Sequence, residues 1–142
     1  MRRWLRATPA LGWMALIWAS SAQPWPQAGA LLSDWLSYWP RWMLAVLAVL
    51  PPDKIVHGGI YAILAALWMG ALAGRRALLV PWTIATAFGG MDELHQGFVP
   101  GRSRDGWDLL ADATGAALAC GVFWWWRRRT AKLAAKAVET PS

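Results

Sequence analysis

One cysteine, two histidines and eight acidic side chains among 142 residues leave several kinds of chemistry with little to work on. The lone Cys120 lies in an apolar run, which excludes an internal disulfide and any Cys-x-x-Cys metal or redox motif. Its expected role is that of a small packing residue. Charged residues make up 15% of the chain against 57% hydrophobic, and the mean hydropathy is positive. That balance belongs to membrane proteins rather than to water-soluble domains. No internal repeat and no low-complexity linker divides the chain, so residues 1–142 read as one domain.

What is abundant points the same way. Thirteen tryptophans are present, and tryptophan favours the headgroup level of a bilayer. The net charge of +6 does not come from a basic patch interleaved with exposed aromatics. The basic residues flank apolar runs instead, so nucleic acid is not an expected partner and the anionic headgroups of a lipid bilayer are.

The expected fold is an all-α integral membrane domain with four transmembrane helices, spanning about residues 5–22, 55–73, 77–97 and 107–126. A cleavable leader competes with the first span, because the basic start and Ser20-Ser21-Ala22 suit either. The three tryptophans of residues 1–22 and the small polar region favour a retained span. Residues 23–54 hold an apolar run too short to cross, interrupted by Asp34, Pro40 and Arg41, and read as one or two interfacial helices between the first two spans. Val99, Pro100, Gly101 and Arg102 have Pro and Gly where a type II turn prefers them. Asp105 is placed to cap the fourth span. The basic, Ala- and Lys-rich tail, residues 127–142, is expected as a frayed helix.

Basic residues also set an orientation. A cytoplasmic N-terminus puts Arg2, Arg3, Arg6, Arg75, Arg76, Arg127, Arg128, Arg129, Lys132 and Lys136 inside, against Arg41, Lys54, Arg102 and Arg104 outside. This arrangement makes the C-terminus cytoplasmic too. It also gathers the polar groups of three segments on the outer face.

Those groups are the candidate site. Asp53, His57 and Tyr61 share one helical side, and a carboxylate one turn from an imidazole can fix its tautomer as a general base needs. An interfacial cap is the plainer role for Asp53. Asp92 faces the same way as His95 and Gln96, while Glu93 is offset by about 100°. The candidate catalytic residues are therefore His57, His95, Asp92 and Asp53. Glu93, Gln96, Arg102, Ser103, Asp108 and Asp112 are the candidate substrate-binding ones. Arg102 with Ser103 suits an anion such as a lipid phosphate, and either Arg102 or Arg104 suits an ion pair that holds the turn down. Asp112 lies more than a turn inside an apolar run, so it must turn toward partners in the bundle, either as a structural lock or as a functional group. Gly115 and Ala119 share its face and, with Gly58, Gly59 and Ala62, offer matching small surfaces for close helix contact. Two histidines with several carboxylates are compatible with a metal held across helices, but no spacing is diagnostic. No metal or cofactor is expected.

Three stretches together carry a resemblance: DK-x-x-H-x-x-x-Y from Asp53, DE-x-x-Q-x-F-x-PGR from Asp92 onward to Asp108, and D-x-x-x-D-x-x-G ending at Gly115. In this order they resemble the VanZ-like family of small bacterial membrane proteins. Asp112 stands where the family pattern usually has Asn, which favours hydrogen bonding as the common task there. The resemblance implies a multi-pass protein of the bacterial inner membrane, with a link to teicoplanin-type glycopeptide susceptibility. It implies no reaction. The expected role is modulation of the cell envelope, with a lipid-linked cell-wall precursor or a glycopeptide as the partner beyond the bilayer. An enzyme acting on a lipid-linked substrate at the outer leaflet is the alternative, with His57 or His95 as base, Asp53 or Asp92 orienting it and Arg102 clamping phosphate. An ion-coupled transporter would rest on Asp112 alone and ranks last.

Overall fold

Apolar runs without β-branched alternation favour helix, and within the described helices proline stands in first turns. In the computed structural model the described residues are 3–22, 37–41, 44, 52–72 and 78–139, and they contain helices and no strand. A short 3-10 turn leads into α1 (Thr8–Ser21), which has Pro in its first turn. Then come α2 (Pro52–Ala71), α3 (Leu79–Gln96) and α4 (Gly106–Glu139). Pro52 opens α2 and Pro81 lies in the first turn of α3, where the missing amide would have had no intrahelical acceptor.

Among the described residues, two helices are long and apolar enough to cross a membrane: α2 over Asp53–Ala71 and α4 over Gly106–Lys136. The 14 residues of α1 rise only about 21 Å. The 18 residues of α3 end on Asp92, Glu93 and His95. The interfacial helices expected within residues 23–54, and the Arg75-Arg76 turn, fall largely or wholly outside the described residues.

The helices pack with α2 against α4 along most of their shared length, α3 against both, and α1 on the outside of α2 and α3. At the centre are Tyr61, Leu64, Ala65, Phe88 and Ala116, with Ile17 and Cys120 beside them. The α2–α4 seam depends on missing side chains. A Cβ on Gly115 would run into the carbonyl oxygen, carbonyl carbon and Cα of Gly58. These are backbone atoms that cannot swing aside, so the two helices meet main chain to main chain.

The tail extends α4. Beyond residue 126 the chain continues as helix to Glu139. Arg127, Arg128 and Arg129 lie over the rings of Phe123, Trp124 and Trp125, one turn earlier, at 5.8, 3.9 and 4.5 Å. Each pair ties successive turns together, and the alanines and leucine that follow are strong helix formers.

Candidate functional site

Contact between the α2 and α4 backbones presses the side chains beside Gly58 and Gly115 into one polar cluster. His57 on α2 meets two acids of α4. Its Nδ1 lies 3.1 Å from Asp112 Oδ1, and its Nε2 lies 3.9 Å from Asp108 Oδ2. Asp112 is almost fully enclosed, at 1% exposure. The third helix makes room for it. A Cβ on Gly89 would come within 2.7 Å of Asp112 Oδ2 and 3.3 Å of the Tyr61 ring, so only glycine lets α3 approach here.

Lys54, one turn before His57, closes the outer edge of the cluster. Its ammonium reaches Asp105 and Asp108 at 2.5 Å each and Asp53 at 3.0 Å. The hydrogen bond from Lys54, helped by the amide of Trp107, holds the Asp105 carboxyl below its ordinary value. The same Asp105 caps α4, accepting the Trp107 N–H at 2.9 Å as its position before the helix implied.

The end of α3 is bound to the turn that follows it. Glu93 Oε2 accepts the Asp105 backbone N–H at 2.9 Å. The turn closes with Arg102 N–H donating to Val99 O at 3.1 Å, and Gly101 has φ +81°, the left-handed value that the third residue of a type II turn needs. Arg104 folds back over Phe98, its guanidinium 5.5 Å from the ring, and lies against Gly97. These contacts make the turn a clasp on the cluster.

Of the expected site residues, the structure brings together His57, Glu93, Asp108 and Asp112, with Asp105 and Lys54. One ligating atom each of His57, Glu93 and Asp108 lies within 4.8 Å of the others. The carboxylate bonded to His57 is Asp112, from another helix, while Asp53 is turned to Lys54. Asp92 is buried and accepts from Gln96 Nε2 at 3.0 Å. The His95 ring is stacked on Trp18 of α1, with centroids 4.1 Å apart. Ser103 is exposed on the turn.

Sequence reasoning passed over Lys54 as the cation of the cluster, and over Gly89. Both had signals. Lys54 precedes His57 by three residues, so the two share a helix face. A Gly-Gly pair inside a helix costs about 1 kcal/mol per glycine relative to alanine, so close packing is its natural explanation. His57 with Nδ1 bonded to a carboxylate turns Nε2 toward Asp108, an arrangement suited to moving a proton or to ligating a cation.

A model of the VanZ/LLP1 family matches residues 7–127, which include every residue of this cluster. No curated protein and no solved structure matches the chain. The chain belongs to the VanZ/LLP1 family.

Proposed function

From this family membership, we propose that the chain is a multi-pass protein of the bacterial inner membrane that modulates the envelope, and with it susceptibility to teicoplanin-type glycopeptides. In this reading the helices form four spans with both termini cytoplasmic, and the His57 cluster opens on the outer face. The observation that carries it is the convergence of Lys54, His57, Glu93, Asp108 and Asp112 from three helices at one end of the bundle. The ten-to-four distribution of basic residues supports turning that end outward.

Two measurements test the reading. With Cys120 replaced by Ser, a cysteine at Ser103 is expected to react with a membrane-impermeant maleimide on intact cells, and one at Thr130 only after lysis. The reverse pattern would overturn the orientation. His57→Ala, at unchanged membrane abundance, is expected to abolish the protein's effect on the teicoplanin inhibitory concentration. An effect that survives would remove the cluster from the function.

A second reading is an enzyme acting on a lipid-linked substrate at the outer leaflet. The observation favouring it is an open apolar groove of about 800 Å³ between α2 and α4, lined by Gly58, Gly59, Ala62, Trp107 and Leu110, with Lys54 at its polar end. An acyl or prenyl chain lying there would bring its headgroup to the cluster. His57 would then act as base, oriented by Asp112 in place of Asp53. Turnover of radiolabelled lipid-linked precursor by vesicles containing the protein, lost in His57→Ala, would distinguish it from the first reading.

A further inference from the structure

The atoms of the cluster fall into two sets. In the first, each is already held. His57 Nδ1 is bonded to Asp112, Asp108 Oδ1 accepts from Lys54, and Glu93 Oε2 accepts from the amide of Asp105. The second set is what remains: His57 Nε2 and Asp108 Oδ2, which face each other at 3.9 Å, Asp112 Oδ2, which lies against Gly89, and Glu93 Oε1, the last two buried without a hydrogen-bond partner among the described residues. Glu93 is itself only 8% exposed, so this oxygen has no route to bulk water to offset its burial.

We propose that His57, Glu93 and Asp108 bind one divalent cation of the first transition row, of the zinc or manganese type. Three considerations carry this. First, the ligating atoms of the three residues all lie within 4.8 Å of one another. An ion held tetrahedrally at about 2.0–2.2 Å sets its ligands about 3.4 Å apart, so the widest pair closes by up to about 1.4 Å to complete the shell. Second, every ligand has the outer partner that metal ligands usually have. An imidazole whose far nitrogen is bonded to a carboxylate presents its other nitrogen in a fixed tautomer and orientation, and Asp112 performs this for His57. Third, the ion matches its own ligands in charge. A neutral imidazole and two carboxylates neutralise a dication, and the ion supplies the positive charge that the enclosed Glu93 lacks beside its backbone partner.

The donor set selects the ion class. Magnesium and calcium prefer shells of oxygen alone, with six or more ligands, whereas an imidazole with two carboxylates suits a transition metal. Three protein ligands leave a coordination position open, as sites that act on a substrate do.

The site rests on geometry and not on the proposed role. A chain that binds the ion and leaves teicoplanin susceptibility unchanged would retain the site and lose the functional reading. The test uses the full chain in detergent, stripped with chelator and titrated with zinc chloride, with bound metal counted by mass spectrometry. One zinc per chain is expected, undisturbed by excess magnesium, with a rise in unfolding temperature on binding. Glu93→Gln is expected to lose at least about tenfold in affinity, together with the thermal shift, and Asp112→Asn to lose about tenfold, because a neutral amide on Nδ1 makes the imidazole a weaker ligand than a carboxylate does. Asp108→Asn replaces Glu93→Gln if the latter aggregates. Wild-type protein that takes up no stoichiometric zinc would overturn the site, as would Glu93→Gln binding as tightly as the wild type. Equal competition by magnesium would overturn the ion class.

Discussion

The α2–α4 seam and the α1 flank are both helix contacts, yet they are made in opposite ways. The seam joins glycine to glycine and lets charged side chains meet around the contact. The flank uses large aromatic groups that reach across a wider gap. Trp13 donates its indole N–H to the Ile60 carbonyl at 3.0 Å, and Trp18 stacks on His95. Main chain against main chain has no slack, because neither partner can change rotamer. An indole over an imidazole or a carbonyl can shift by a few tenths of an ångström and keep its contact. The rigid contact is the one that positions the polar cluster.

The largest expected effect therefore lies in the seam. Gly115→Val should separate α2 from α4 and cost about 3 kcal/mol or more, reading as loss of the monodisperse species in detergent. A variant that unfolds like the wild type would show the seam to be as accommodating as the flank. Next comes Asp112. Its replacement by Leu leaves His57 Nδ1 buried without a partner and should cost about 1–3 kcal/mol, while Asn, which can still bond to the ring, should cost less. Thermal unfolding of the two variants side by side measures the difference. In the flank, Trp13→Phe removes one hydrogen bond and keeps an aromatic ring, for an expected loss of about 1 kcal/mol.

The smallest effect is set by pH at the rim of the seam. Lys54 holds the Asp105 carboxyl below its ordinary value of 3.8. A depressed folded-state value adds stability that is complete above 3.8 and disappears as pH falls through the folded value. Unfolding temperature should accordingly fall on acidification from about pH 5. Asp105→Asn should flatten that slope slightly. An unchanged slope would take Asp105 out of the pH response.

Much of the seam could be read from residue spacing. The small face of Gly58, Ala62, Gly115 and Ala119, the inward turn of Asp112, the Asp105 cap and the type II turn all follow from local rules that need no knowledge of the partner helix. Spacing along one helix gives a face but not the register at which a second helix crosses it. For that reason Asp53, one turn away on the same helix, was the partner expected for His57 where the structure has Asp112, and Lys54 escaped notice as the cation that reaches Asp108. The stack of Trp18 on His95 was illegible for the same reason, since it depends on how α1 lies across α3. The continuation of α4 to Glu139 was local in origin, but it rests on arginine-over-ring pairs that a count of charges overlooks.

That continuation has a mechanical consequence. With 34 residues, α4 is a rod of about 51 Å, and its contact with α2 at Gly115 lies nearer to one end than to the other. The stretch from Gly115 to Glu139 is about 36 Å long, so a tilt of about 5° at the contact would carry the far end through about 3 Å. The helix is a lever whose short arm bears Asp108 and Asp112 and whose long arm bears three arginines.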